Sequence, residues 1–179
     1  MKRLETYARF MLGKLSSDEI VSVANAWINE GVYSGSLGEL CTIASPEMSD
    51  VGPLFESAMQ ELGISRPSKL ESALILTNET VHRIAQGELD PVTGAEFLYW
   101  QVHHELSSEF PDQQYVGDCL GLEQVFCWLR EIWDCRDGSM ILYHTDVPRD
   151  QAEKKFIEHL IEAAKEWKDK RHPRSPTVQ

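Results

Sequence analysis

The sequence has no apolar run long enough to cross a membrane. A membrane-spanning helix needs about 20 consecutive apolar residues, and the apolar stretches of this 179-residue chain are shorter. The N-terminal stretch contains Glu5, Arg9 and Lys14, and no small-residue cleavage site follows it. Both features argue against a secretory signal peptide. We therefore expect a cytoplasmic protein that does not associate with membranes.

Motifs of nucleotide and hydrolase chemistry are missing as well. The chain contains no glycine-rich phosphate loop, no Walker-type lysine and no nucleophile elbow. Gly117 and Gly121 lie within a predicted helix and do not follow a strand, so they do not form a dinucleotide fingerprint. From these absences we expect a protein with no catalytic residues and no bound cofactor.

Cysteine is scarce, and its spacing does not suggest a zinc site. Three of the four cysteines recur every eight residues, whereas a zinc knuckle pairs cysteines two residues apart. Cytoplasmic proteins rarely keep disulfides. The pattern favours buried, reduced thiols over a metal site or a disulfide at Cys41, Cys119, Cys127 and Cys135.

Basic residues are few, particularly in the middle of the chain. The 17 basic and 29 acidic residues give a net charge of −12. Residues 91–147 contain 2 basic and 10 acidic residues, a net charge of −8, whereas residues 148–179 have a net charge of +2. Such a field repels nucleic acid and attracts cationic partners. The alternative is that the acidic residues serve solubility alone.

Helical periodicity runs through nearly the whole chain. Ser16 and Glu19 have the spacing of a capping box, and Asp90-Pro91 is a typical helix start. An apolar stripe from Tyr115 to Trp133 predicts one continuous helix, and Pro148 precedes the last one. Residues 45–53 are predicted to form a loop and residues 139–147 an extended connector, because a single strand has no partner.

These segments predict an all-α protein without a substantial sheet. About seven amphipathic helices joined by short loops are typical of a multi-helix orthogonal bundle. We expect one domain over residues 1–170, followed by a polar C-terminal tail over residues 171–179.

Histidines and carboxylates near the centre of the chain offer one candidate metal site. Glu105 and Glu109 are four residues apart, so they share a helix face. Adjacent His103 and His104 cannot both join them, and any further ligands would come from His82, His144 or His159. We favour a solvated polar helix end here, with a metal-dependent enzyme as the alternative. His144 beside Asp146 lacks a nucleophile to activate.

Trp100 is a candidate for protein binding. It lies opposite the apolar stripe of its helix, on the face that carries Glu96 and His103. A partly exposed tryptophan among acidic groups is typical of a protein-binding hot spot. The alternative is burial between two helices. Trp133 and Trp167 lie on apolar stripes, which predicts that both are core residues.

One segment carries a family resemblance. Gly87, Glu88, Leu89, Pro91 and the Gly94-Ala95 pair reproduce a helix–turn–helix joint, and the final helix contains an alanine pair. Over residues 84–168 the chain resembles small helical bacterial toxin-immunity proteins. The resemblance implies a protein that neutralises a toxin by stoichiometric binding, without turnover.

Charge and resemblance together predict a basic protein partner, such as a toxin domain. A structural or regulatory adaptor, perhaps a homodimer, remains the alternative to this hypothesis. The residues predicted to bind the partner are Glu96, Trp100, Glu105, Glu109, Asp112, Asp118, Glu123 and Asp134.

Overall fold

The structure, a computed structural model, describes residues 3–106 and 113–171. Residue 171 is described by its backbone alone. These residues form eight α-helices and no β-strand, which confirms the predicted all-α class. The helices are α1 (Arg3–Met11), α2 (Ser17–Asn29), α3 (Gly35–Leu40), α4 (Met48–Glu61), α5 (Lys69–Gln86), α6 (Pro91–Phe97, continued by a π-helical turn, Leu98–His103, and by His104–Leu106), α7 (Glu123–Asp137) and α8 (Arg149–Arg171).

Contacts within the chain group it into two compact units, Met1–Ser72 and Ala73–Gln179. The boundary falls inside α5, and each unit is described below by itself. One domain over residues 1–170 therefore stays a prediction. Within the described residues, no helix combines the length and apolar content that crossing a membrane requires.

The first unit is built from short helices whose starts are encoded locally. Ser16 caps α2 by accepting from the backbone N–H of Glu19, and the Glu19 carboxylate accepts from the backbone N–H of Ser16. This confirms the predicted capping box. α2, α3 and α4 pack against one another. Trp27 stacks on Phe55 with ring centroids 6.2 Å apart, and Tyr7 meets Phe55 edge-on.

The predicted loop over residues 45–53 is partly wrong. α4 begins at Met48, and Val51 is fully buried beside the rest of the first core. Pro53 lies in the second turn of this helix and has no N–H to donate to the carbonyl oxygen of Ser49, so the helix forms there with one hydrogen bond fewer. Proline and glycine in this segment predicted a loop, but burial of one apolar helix face outweighs their low helix propensity.

The second unit has its core between α6, α7 and α8, which pack against one another. Asp90 caps α6 by accepting from the backbone N–H of Thr93, as predicted. The inward stripe of α6 is fully buried, and so are the central apolar residues of α7 and α8. The buried residues of this core include Ala95, Leu98, Val102, Leu106, Leu122, Leu129, Phe156, Leu160 and Ala164.

The helix predicted to run from Tyr115 to Trp133 begins later, at Glu123. Gly117 and Gly121 have φ angles of 97° and 69°, which lie in the left-handed region and interrupt a right-handed helix. Between them lies one 3-10 turn, Asp118–Leu120. Apolar residues recur at spacings of three and four through this turn, so the apolar periodicity alone did not reveal the break in the helix.

The connector between α7 and α8 contains no strand over residues 139–147, as predicted. Buried Glu131 accepts from the backbone N–H of Leu142. The Arg149 guanidinium donates to the carbonyl oxygens of Asp134, Gly138 and Ser139 at 2.7–3.1 Å. These bonds hold the connector against both helices although it has no regular structure.

Candidate functional site

A groove of about 500 Å³ runs beside α7 in the second unit. Its volume lies within the range of ligand-binding clefts. α6 contributes one aromatic wall, α7 contributes the floor, and the loop before α7 contributes the opposite rim. The lining residues are Tyr99, Tyr115, Val116, Glu123, Gln124, Phe126, Cys127, Arg130 and Trp133.

The π-helical turn of α6 supplies the aromatic wall. Such turns are rare and occur frequently at functional sites, because the extra residue alters which side chains share a face. Tyr99 meets Phe126 and Trp133 edge-on, with ring centroids 5.2 and 5.3 Å apart. Edge-to-face packing is a favoured aromatic geometry, so these contacts hold the wall against α7.

Trp100 lies beside the groove and is 50% exposed, so it is not buried between helices. Its ring stacks on Trp133 at a centroid distance of 5.8 Å and on His104 at 5.5 Å. The prediction that Trp133 is a core residue is wrong, because its indole is half-buried and lines the groove. Trp167 is buried, as predicted, and donates to the carbonyl oxygen of Leu120.

Glu96 is coupled to this aromatic group. One of its carboxylate oxygens accepts a 2.9 Å hydrogen bond from the indole N–H of Trp133. A charged acceptor makes a stronger bond than a neutral one. The bond fixes the orientation of the Trp133 ring, on which Trp100 stacks.

The loop on the far rim is held by local contacts. The Asp118 carboxylate accepts from the backbone N–H of Tyr115 at 2.9 Å. A Cβ on Gly117 would come within 2.6 Å of the Phe126 ring, so the loop approaches α7 as closely as glycine allows. Tyr115 and Val116 are left 61% and 51% exposed.

The structure brings some of the predicted binding residues to the groove and not others. Glu96 and Trp100 adjoin it through Trp133, and Glu123 lines it. Asp118 contacts the rim through Tyr115, while Glu105 is half-buried at the end of α6. Asp134 is buried and paired with Arg130 at 3.2 Å. The other two predicted residues, Glu109 and Asp112, lie outside the described residues.

His103 differs from the prediction of a solvated polar helix end. It is buried, and burial lowers the pKa of its imidazole. Its ring meets Phe126 at 5.5 Å, and its Nε2 lies 3.4 Å from the side-chain oxygen of Gln113. His103 is the last residue of the π-helical turn, in which one extra residue changes the helix face that each side chain occupies. His104, the next residue, is exposed as predicted.

All four cysteines are free, which agrees with the prediction of reduced thiols. The prediction that they are buried holds for Cys135, whereas the other three are half-buried. Cys127 lines the groove, and burial together with nearby Glu131 raises the pKa of its thiol. The thiol is therefore protonated at neutral pH and is a poor nucleophile.

Within residues 3–106 and 113–171, no group of three or more histidine, cysteine or carboxylate side chains is placed to hold a metal ion. Glu105 is part of that range, but its predicted partner Glu109 is not. A metal-dependent enzyme at this position stays an untested alternative.

Most groove residues were missed by the sequence analysis. Tyr115 was placed on a helix stripe, and Tyr99 and Phe126 were not among the residues predicted to bind a partner. A usable signal was present in Gly117 and Gly121, which mark a turn just before α7. That turn carries the missed rim residue Val116.

Comparisons with known proteins do not assign a function to the groove. None of the family models, curated proteins or solved structures compared with the chain matches it. Evidence about function therefore comes from the side chains that the fold places at the groove, and from the distribution of charge along the chain.

Proposed function

We propose that this chain is a binding protein that inhibits a basic protein by stoichiometric association. The aromatic groove beside α7 accepts an apolar side chain of the partner. Trp100, at the edge of the groove, covers this side chain. The observation that carries this proposal is the half-exposed Trp100 stacked on Trp133, next to a preformed groove.

Aromatic side chains provide the affinity. Tryptophan and tyrosine dominate binding energy at protein interfaces, where a few residues cost about 2 kcal/mol or more each when truncated to alanine. Trp100, Tyr115 and Val116 are exposed and adjoin the same groove. Their apolar surface is covered by water in the free chain, and association with a partner removes it from water.

Charge provides the selectivity for a basic partner. The segment that forms most of the groove, residues 91–147, has a net charge of −8. Arg130 is a basic residue that lines the groove, and its guanidinium forms a salt bridge with Asp134. An acidic field of this kind speeds the approach of a cationic protein, by about 10- to 1,000-fold in favourable cases.

The resemblance to bacterial toxin-immunity proteins suggests the class of partner. A toxin that attacks nucleic acid needs a basic surface to bind phosphates. An inhibitor with acidic and aromatic surface side chains is complementary to such a surface. We therefore propose a toxin domain as the partner and expect no turnover by this chain.

Photo-crosslinking in the native host tests the proposal and identifies the partner in the same experiment. A benzophenone amino acid replaces Trp100 in one variant and Tyr115 in a second. A third variant carries it at Tyr33, which is 74% exposed and belongs to the first unit. Crosslinked proteins are identified by mass spectrometry after each illumination.

We expect one and the same basic protein from positions 100 and 115, and no crosslink to it from position 33. In a lysate of the same cells, addition of salt before illumination reduces the yield, because screening weakens long-range attraction between the two proteins. The proposal fails if position 33 gives the same product, if the captured protein is acidic, or if positions 100 and 115 give none.

A further inference from the structure

A pair of histidines lies away from the groove, where the connector after α7 meets α8. The Nε2 atoms of His144 and His159 are 3.1 Å apart, and the two rings are nearly parallel, with an interplanar angle of 9°. Both side chains are half-buried. One ring donates this hydrogen bond and the other accepts it, according to the tautomer.

We propose that His144 and His159 form a binding site for one divalent transition-metal ion of the zinc and copper class. Neutral imidazole nitrogen is a preferred ligand of these ions. Metal–nitrogen distances are about 2.0–2.1 Å. Two nitrogens 3.1 Å apart therefore subtend an angle of about 95–102° at a shared ion, between octahedral and tetrahedral values.

The surroundings hold both rings in this arrangement before any ion binds. The His159 ring packs on Trp128 with centroids 4.6 Å apart, and the His144 ring lies 5.6 Å from the Phe156 ring. Trp128 also contacts Tyr143, so aromatic rings border the pair on several sides. A site whose ligands are already oriented loses less conformational entropy when the ion binds.

The backbone of His144 supports a functional role for this residue. Its φ angle is 51°, in the left-handed region that side chains other than glycine rarely adopt. The connector is held by the Leu142 bond to Glu131 and by the Arg149 bonds to backbone carbonyls. Strain held in place by its surroundings is typical of functional positions, and here it places the imidazole against α8.

Two protein ligands leave the remaining coordination positions to water or to an exogenous ligand. Such an open site exchanges its ion more readily than a closed structural site with four protein ligands. The ion joins the connector to α8, so we expect it to stabilise this part of the second unit by mass action. This inference is independent of the proposed function of the groove.

Titration of the purified full chain with Zn²⁺ tests the site. The variants are His144→Asn, which tolerates the left-handed backbone conformation, His159→Gln and the double variant. The exposed His104 of α6 supplies the matched control, His104→Asn. Binding is measured by calorimetry, and Cu²⁺ spectra by electron paramagnetic resonance. Circular dichroism confirms that each variant is folded.

We expect one ion per chain above the background of the double variant. Each single variant weakens binding by about tenfold or more, and His104→Asn leaves it unchanged. The Cu²⁺ spectrum shows two coordinating nitrogens in the wild type and one in each single variant. Equal Zn²⁺ binding by the wild type and the folded double variant overturns the proposal, as does unchanged affinity in His144→Asn.

Discussion

The indole N–H of Trp133 donates a 2.9 Å hydrogen bond to the carboxylate of Glu96, which ties α7 to α6 at the edge of the groove. The sequence predicted that Glu96 is an acid that binds the partner directly. In the structure it positions the ring on which Trp100 stacks. Glu96 therefore contributes to binding through Trp133, because its hydrogen bond fixes the indole ring on which Trp100 stacks.

Removal of this acceptor should weaken the second unit. Glu96→Ala leaves the half-buried indole N–H without its partner, and we expect a loss of about 1–2 kcal/mol in the free energy of unfolding. Glu96→Gln keeps an acceptor oxygen and should lose less than half as much. Chemical denaturation followed by tryptophan fluorescence measures both. Equal stability of the alanine variant and the wild type would show that the bond does not contribute.

The joint between α5 and α6 depends on the absence of a side chain at Gly94. A Cβ there would lie 2.7 Å from Cδ1 of Ile84 and 2.9 Å from Cδ2 of Leu89. We expect Gly94→Ala to lower the free energy of unfolding by about 1–3 kcal/mol, because the buried Ile84 must move.

Gly52→Ala in α4 is the control for that substitution. Gly52 is also a buried helical glycine, but an added Cβ would meet its neighbours at 3.8 Å or more, which is ordinary contact. Here the better helix propensity of alanine should raise stability by about 0.5–1 kcal/mol. If Gly94→Ala and Gly52→Ala change stability in the same direction, the close contact of residue 94 with Ile84 does not explain the effect of Gly94→Ala.

Local signals account for what the sequence predicted well. The Ser16–Glu19 capping box and the Asp90-Pro91 start involve residues at most three positions apart, so their chemistry is visible without a fold. The inward stripe of α6 was equally visible, because burial follows helical period. All of these belong to single helices.

The groove and the histidine pair are contacts between elements, and they were not predicted. The groove forms because the loop that carries Tyr115 turns back onto α7, at glycines which the apolar spacing concealed. His144 lies in the connector, and His159 lies nearly three turns into α8. Side-chain pairing across such a distance is decided by tertiary packing, which periodicity does not encode.

A pH dependence of stability follows from the start of α3. The Glu61 carboxylate accepts from the hydroxyl of Ser36 at 2.7 Å and from its backbone N–H at 3.1 Å, and these bonds lower the pKa of Glu61. A lowered pKa in the folded state means that the carboxylate stabilises the fold above its ordinary value of 4.5. This contribution is lost as the pH falls through the folded-state pKa.

The substitution Glu61→Gln should therefore lower the free energy of unfolding at neutral pH. The difference from the wild type should shrink as the pH falls below 4.5, the ordinary value for this carboxyl. Denaturation series at several pH values measure it. Glu39→Gln removes the same charge from an exposed position of α3 and leaves both Ser36 bonds intact. A difference for Glu61→Gln that is constant with pH would contradict the explanation.

The affinity of the basic partner for Trp100→Ala, compared with Tyr33→Ala and the wild type, tests the binding proposal most directly. The partner is the protein identified by crosslinking, and titration calorimetry gives the dissociation constants. We predict that Trp100→Ala weakens binding by about 2 kcal/mol or more, which is about 30-fold. Tyr33→Ala, at an exposed aromatic of the first unit, should bind like the wild type. An unchanged dissociation constant for a folded Trp100→Ala variant would contradict the account.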